Sequence, residues 1–308
     1  MDALLAVLLA LGAAALYGFG NALEHRVASD VPTDDRLSIG LLGQLARSPR
    51  WLFGMFGDVG AYGLQAAALA FGALLVVQPL LVCGVLVALP LSAYWNGRRL
   101  RAHEWSAAIV LCAALSLFLI EASPSGGADT ASVSSWLDVG GGVLAVIVIA
   151  VVAAAVTHGN ARAALLGFSA GALFGITAAL TKTFVEQIQQ GVPYTARHWE
   201  VYALAIFSLV GILLTQNGFH AASLPASLPA LEATEPIVAA FLGVLVLHEH
   251  FNGETTADNV VIALASVLIL VTVVVLAVAA GTEARTSAGA AHQRHASGRV
   301  SRRAAATS

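Results

Sequence analysis

The chain has 308 residues, a formal net charge of −3, 58% hydrophobic but only 11% charged residues, and a mean hydropathy of +0.82. No water-soluble fold buries that much apolar surface, so soluble enzymes and soluble binding modules are excluded. What remains is an all-α polytopic membrane bundle of about nine or ten transmembrane helices.

Windows of bilayer length predict nine spans, near 3–22, 51–70, 73–96, 104–121, 136–156, 164–186, 198–218, 222–247 and 259–280. Met1-Asp2-Ala3-Leu4 lacks the basic region of a cleaved signal peptide, so the first span reads as mature structure. Glu24, His25 and Arg26 end that span and are expected at the interface. Ser38 to Ala46 is apolar but too short to cross straight; if it enters the membrane in part, the count becomes ten and the N-terminus changes side.

In the second span, Asp58 lies deep enough to need a partner and shallow enough to meet water. Gly54, Gly57, Gly60 and Gly63 offer a small face for helix packing, and Gln65 sits in apolar surroundings. The third span carries Gln78 beside Pro79, a flexible point. Cys83 and Cys112 both fall in apolar runs and read as small core residues.

Gly126 to Ser135 is a Gly/Ser/Ala-rich connection without a basic residue. It separates a first repeat, 1–122, from a second, 136–280, with 123–135 as an extracytoplasmic connection. Leu16-Tyr17-Gly18 recurs as Leu173-Phe174-Gly175, and Val59-Gly60 with Gln65 recurs as Val210-Gly211 with Gln216. Internal repeats of this kind mark secondary transporters, whose site lies between the halves at mid-depth. Gly167, Gly171 and Gly175 recur every fourth residue and predict close helix approach. Lys182 and Glu186 are spaced to form a surface pair, and Asn217 and His220 are expected to be solvated at the end of the seventh span.

The eighth span holds Glu232 and Glu235, the only ionisable residues between Ala222 and Leu247. A charge at that depth costs ~2.5–3.5 kcal/mol on insertion scales. Spaced i, i+3, the two carboxylates share a helix face. Pro236 cannot donate its N–H, which predicts a kink and a freed carbonyl. Proton coupling, cation coordination and recognition of a cationic solute all fit such a pair, as does a purely structural role. Gln65, Gln216 and Gln78 are amide candidates for the same site, and Asp58 a further acid. His248-Glu249-His250 lacks the i, i+4 spacing of a zinc helix.

Residues 281–308 are polar and basic and read as a disordered cytoplasmic tail. Thirteen arginines fall on one side of the nine predicted spans, and only Lys182 and Arg197 at or near the other. The positive-inside rule then puts the tail in the cytoplasm.

The run from Ser223 through Leu231-Glu232-Ala-Thr-Glu235-Pro236 to His248-Glu249 resembles the second-half signature of EamA-type members of the drug/metabolite transporter superfamily. A weaker likeness runs from Ala70 through Gln78-Pro79-Leu80 to Asn96-Gly97-Arg98, with Gln78 in the place of Glu235. The irregular span count looks closer to the magnesium-transporter-like (NIPA-like) branch. The resemblance implies two inverted repeats, alternating access, and transport of small organic solutes or, in that branch, divalent cations.

Three readings follow. The first is a secondary transporter exporting or exchanging a small organic metabolite or drug, with Glu232, Glu235 and the glutamines at mid-depth and Pro79 and Pro236 as hinges. The second is a Mg²⁺ or other divalent-cation permease, and the third a non-transporting membrane scaffold or envelope-assembly factor. None is an enzyme and none needs a cofactor. The expected partners are a small-molecule or ion substrate and the lipid bilayer, not nucleic acid, and the class allows a homodimer. The Arg-, Ala- and Gly-rich composition suggests a GC-rich bacterium, and with it the plasma (inner) membrane.

Overall fold

Apolar runs that must satisfy their own backbone in lipid fold as helices, and helices account for nearly all of the described residues. The computed structural model describes residues 2–31, 39–71, 77, 80–97, 99–121, 124–125, 131–248, 250–251 and 260–278. In chain order the helices are α1 (Asp2–Asp30), α2 (Ile39–Leu45), α3 (Pro49–Phe71), α4 (Leu80–Trp95), α5 (Ala102–Glu121), α6 (Val133–Val156), α7 (Gly159–Gln189), α8 (Trp199–Ala221), α9 (Leu224–Leu245) and α10 (Val260–Val278). Seven of them, all but α2, α3 and α4, are long and apolar enough to cross a membrane. The protein is therefore a multi-pass helical bundle. The predicted second span coincides with α3, 23 residues long, while the third is described from Leu80 onward as the shorter α4. Ser38–Ala46 becomes α2, a seven-residue helix whose Leu41 and Leu45 are buried. Gln78, Pro79, Glu249 and the tail lie outside the described residues.

The bundle's exterior confirms its solvent. Phe53, Phe56, Val148, Ile149, Val152, Leu264 and Val267 are all exposed, an apolar surface that water would not tolerate on this scale. Exposure also orders the helices. α7 is the central one, with 72% of its apolar window buried, against 22% for α6 and for α10, which are peripheral.

The two halves share one packing plan. α1 packs on α3 and α4; α7 packs on α8 and α9. Gly18 and Gly175, matched by the repeat, each lie under the third helix of their half. A Cβ on Gly18 would meet Gly84 O and Val87 Cβ; one on Gly175 would meet Glu235 O and Val238 Cβ. By these contacts Gly84 stands to Gly18 as Glu235 stands to Gly175. Only the second half carries an acid at this point.

The halves run in opposite directions. The C-terminal end of α8 meets both the C-terminal end of α1, through Gln216 and Glu24, and the N-terminal end of α7, through Gly218 and Ala163. α1 and α7 are thus antiparallel, as an inverted repeat requires. Further bonds gather the same face: Arg26 Nη1 donates to Trp95 O at 2.8 Å, and Asn160 Nδ2 to Ala277 O at 2.9 Å. Arg47, Arg50, Arg99, Arg101 and Arg162 stand at helix ends or connections on this side, which we call the basic face. On the opposite face Pro124–Ser125 pairs antiparallel with His250–Phe251, and Trp136 meets Trp199 edge to face.

Local signals set the helix ends. Ser223 in extended geometry precedes α9, with Pro225 in its first turn. At α5, Glu104 reaches back to accept from the Arg101 N–H at 2.8 Å, the acidic half of a capping box. Glu104→Ala is therefore expected to cost about 1 kcal/mol, measured as a lowered thermal unfolding midpoint. Pro229 and Pro236 sit inside α9 without ending it. Each lacks an N–H, so the carbonyls of Pro225 and Glu232 lose their usual helical donor.

Candidate functional site

α9 is held at its centre by a stripe of glycines. Cβ atoms on Gly167 and Gly171 would lie 2.3 Å from Ser227 O and Leu231 O, and one on Gly175 2.8 Å from Glu235 O. The face of α9 that carries Ser227, Leu231 and Val238 is locked against α7. Glu232 and Glu235 are only partly buried although they lie near the middle of a membrane helix. Their electrostatic neighbours come from the other half: Tyr17 of α1, and Tyr62 and Asp58 of α3. Tyr17 and Tyr62 meet edge to face at 6.5 Å, and Tyr62 is 62% exposed. Two carboxylates and two phenols thus lie within electrostatic reach of one another at the junction of the halves. Phenols and carboxyls together can bind a cationic or hydrogen-bonding solute.

A second cluster lies about 10 Å further along α1, seven residues on from Tyr17. Glu24 is 3% exposed, and its Oε2 accepts from Gln216 Nε2 at 2.5 Å. Asp58 of α3 is its acidic neighbour. Glycines make the room: a Cβ on Gly20 would sit 2.5 Å from Asp58 Oδ1, and one on Gly54 2.9 Å from Glu24 Cγ. The Gly54–Gly63 stripe divides accordingly, since Gly54 seats Glu24 while Gly63 has nothing within 4 Å.

Sequence reasoning missed Glu24. α1 continues to Asp30, and Glu24 and His25, expected at the interface, are both buried within the protein. His25 Nε2 lies 3.0 Å from Ala222 O, its Nδ1 3.4 Å from Ser92 Oγ, and its ring stands edge-on to Phe219 at 6.0 Å. Asn217 and His220 are also tied down rather than solvated: Asn217 Nδ2 donates to Leu213 O at 2.8 Å, and His220 Nε2 lies 3.0 Å from Val31 O. The length of the apolar run before Glu24 hid this, because it is long enough to be a full span on its own.

The two glutamines do not meet. Leu64, next to Gln65, lies against Gly12, whereas Gln216 binds Glu24, about 18 Å further along α1. An inverted repeat carries matched residues to opposite depths, so the expectation of one site with both glutamines is corrected. Among the described residues no three His, Cys, Asp or Glu side chains converge closely enough to hold a metal ion.

Two antiparallel halves, a central small-residue seam and acids at their junction define a polytopic membrane protein of inverted-repeat architecture. Over 250 residues, 81% of this chain and 86% of the relative, it is 38% identical to the uncharacterized protein Cgl0250/cg0304 of Corynebacterium glutamicum, and it belongs to that protein's family. No family model and no solved structure matches the chain.

Proposed function

We propose that the protein is a secondary transporter of the drug/metabolite type, exporting or exchanging a small organic metabolite or drug across the plasma membrane by alternating access. The observation that carries this reading is the junction itself. Glu232 and Glu235 are only partly buried at mid-helix and lie within electrostatic reach of Tyr17, Tyr62 and Asp58 of the opposite half. A structural acid pair would be closed off by partners from its own half; an acid pair kept open between two antiparallel halves suits a solute that must be reached from either side. Rocking of the α1/α3 side against the α7/α9 side would open one face and then the other, with Pro236 as a point of give in α9. The divalent-cation alternative lacks a converging ligand set among the described residues.

Reconstitution into proteoliposomes tests this. With a panel of cationic drugs, amino acids, nucleosides and sugars, the wild type should drive gradient-dependent uptake of at least one class. Glu235→Gln, of similar shape but neutral, should reduce that uptake to the protein-free background while keeping the fold. Wild-type uptake by Glu235→Gln would end the assignment of that carboxylate. The basic face is read as cytoplasmic; a reporter fused after Ser308 should be active only in its cytoplasmic form.

A further inference from the structure

The buried cluster on the basic side has more acceptors than donors. Among the described residues, no N–H or O–H group reaches Glu24 Oε1, Asp58 Oδ1 or Gln216 Oε1, and all three oxygens are buried. Gln216 is 1% exposed and is turned into the cluster by its bond to Glu24 Oε2, so its amide oxygen is an orphan inside a closed polar site. Unmet acceptors of this kind each cost ~1–3 kcal/mol, more when charged, and buried polar atoms in native folds almost always have a partner. Two adjacent carboxyls and an amide oxygen make a partner of positive charge the natural one.

We propose that Glu24, Asp58 and Gln216 form a binding site for one small monovalent cation, a proton or a sodium ion, that bridges the two halves of the protein. Glu24 and Asp58 come from the first half and Gln216 from the second, so the occupant ties α8 to α1 and α3. Gly20 and Gly54 leave room for the two acid side chains, since a Cβ at either position would lie within 3 Å of Asp58 Oδ1 or Glu24 Cγ. Divalent ions bring two positive charges and take on the order of six oxygens; two carboxyls and one amide suit a single positive charge better. A single positive charge leaves one net negative charge on the pair, at a helix depth where two would be prohibitive.

The histidines nearby have partners of their own. His25, the next residue on α1, is turned to Ala222 O and Ser92 Oγ; His220 of α8 is turned to Val31 O. From α9, Glu232 acts on Asp58 across the junction with the same sign as the cluster itself. Naming the cation a coupling ion rests on the transporter reading, whereas the site rests on its three oxygens.

The test uses the full-length protein in lipid nanodiscs and reads its thermal unfolding midpoint, which rises with any ligand that favours the native state. Sodium is titrated against choline at constant ionic strength and pH, and pH is then varied without sodium. A saturable sodium shift that disappears in both Glu24→Gln and Asp58→Asn assigns a sodium ion. No sodium shift, with a one-proton pH step lost in both variants, assigns a proton. A wild type silent in both arms, or a response that persists in both variants, overturns the site. Should the carboxamides fail to fold, Gln216→Met removes one oxygen and leaves both acids; it should move the sodium or pH midpoint, and an unmoved midpoint overturns the site. Glu235→Gln should keep the cation response whatever its transport, so failure of the transporter reading and failure of this site give different results.

Discussion

Gly171→Ala is expected to cost about 3 kcal/mol or more, or to prevent folding outright. The added methyl would lie 2.3 Å from Leu231 O and 3.0 Å from Thr234 Cβ. A flexible side chain could swing aside from such a clash, but a carbonyl inside a helix moves only if the helix moves. α7 and α9 would have to separate along the whole stripe from Gly167 to Gly175, the tightest seam of the second half. In lipid there is no hydrophobic drive to close them again, because the tails solvate the exposed faces as well as the partner helix does. Gly63→Ala is the control. The substitution is identical, also within a helix, but nothing lies within 4 Å of the new methyl. Helix propensity then dominates, and a neutral or slightly stabilising effect of at most about 1 kcal/mol is expected. Thermal unfolding of both variants in the same detergent gives the comparison. Equal midpoints would show that the α7–α9 seam does not depend on glycine.

His25→Ala is expected to destabilise by about 3 kcal/mol. The imidazole joins three elements at once: Ser92 of α4, the Ala222 carbonyl at the α8–α9 junction, and the Phe219 ring of α8. Truncation leaves buried polar groups without a partner and opens a cavity where the ring stood. His25→Phe separates these effects, since it keeps the contact with Phe219 and loses only the polar ones. It should recover part of the loss, leaving a deficit of ~1–2 kcal/mol. A fully stable alanine variant would return His25 to the interfacial role its sequence position first suggests.

Much of this molecule is legible from its residues because the bilayer leaves few choices. A run such as Val260–Val278, of mean hydropathy 3.2, has to be a helix. The repeat is legible because Gly18 and Gly175 must both be small to let a third helix lie close, so a packing constraint is written directly into residue type. The Gly167–Gly171–Gly175 stripe and the mid-helix position of Glu232 and Glu235 are readable for the same reason.

The functional junction was not legible in this way. Glu24 looks like the end of a span until α1 is seen to continue to Asp30, and nothing local to Glu24 names Asp58 and Gln216 as its partners, 34 and 192 residues away. Gln65 and Gln216 look alike in sequence, yet inversion sends them to opposite depths. Likewise nothing in the sequence shows that Gly84 meets Gly18 as Glu235 meets Gly175. By itself the sequence determined the solvent, the helices, the repeat and the seam, since each depends on neighbouring residues and their burial. Only the tertiary structure decided which acids face each other, because those contacts depend on helix register and direction, which hydropathy does not encode.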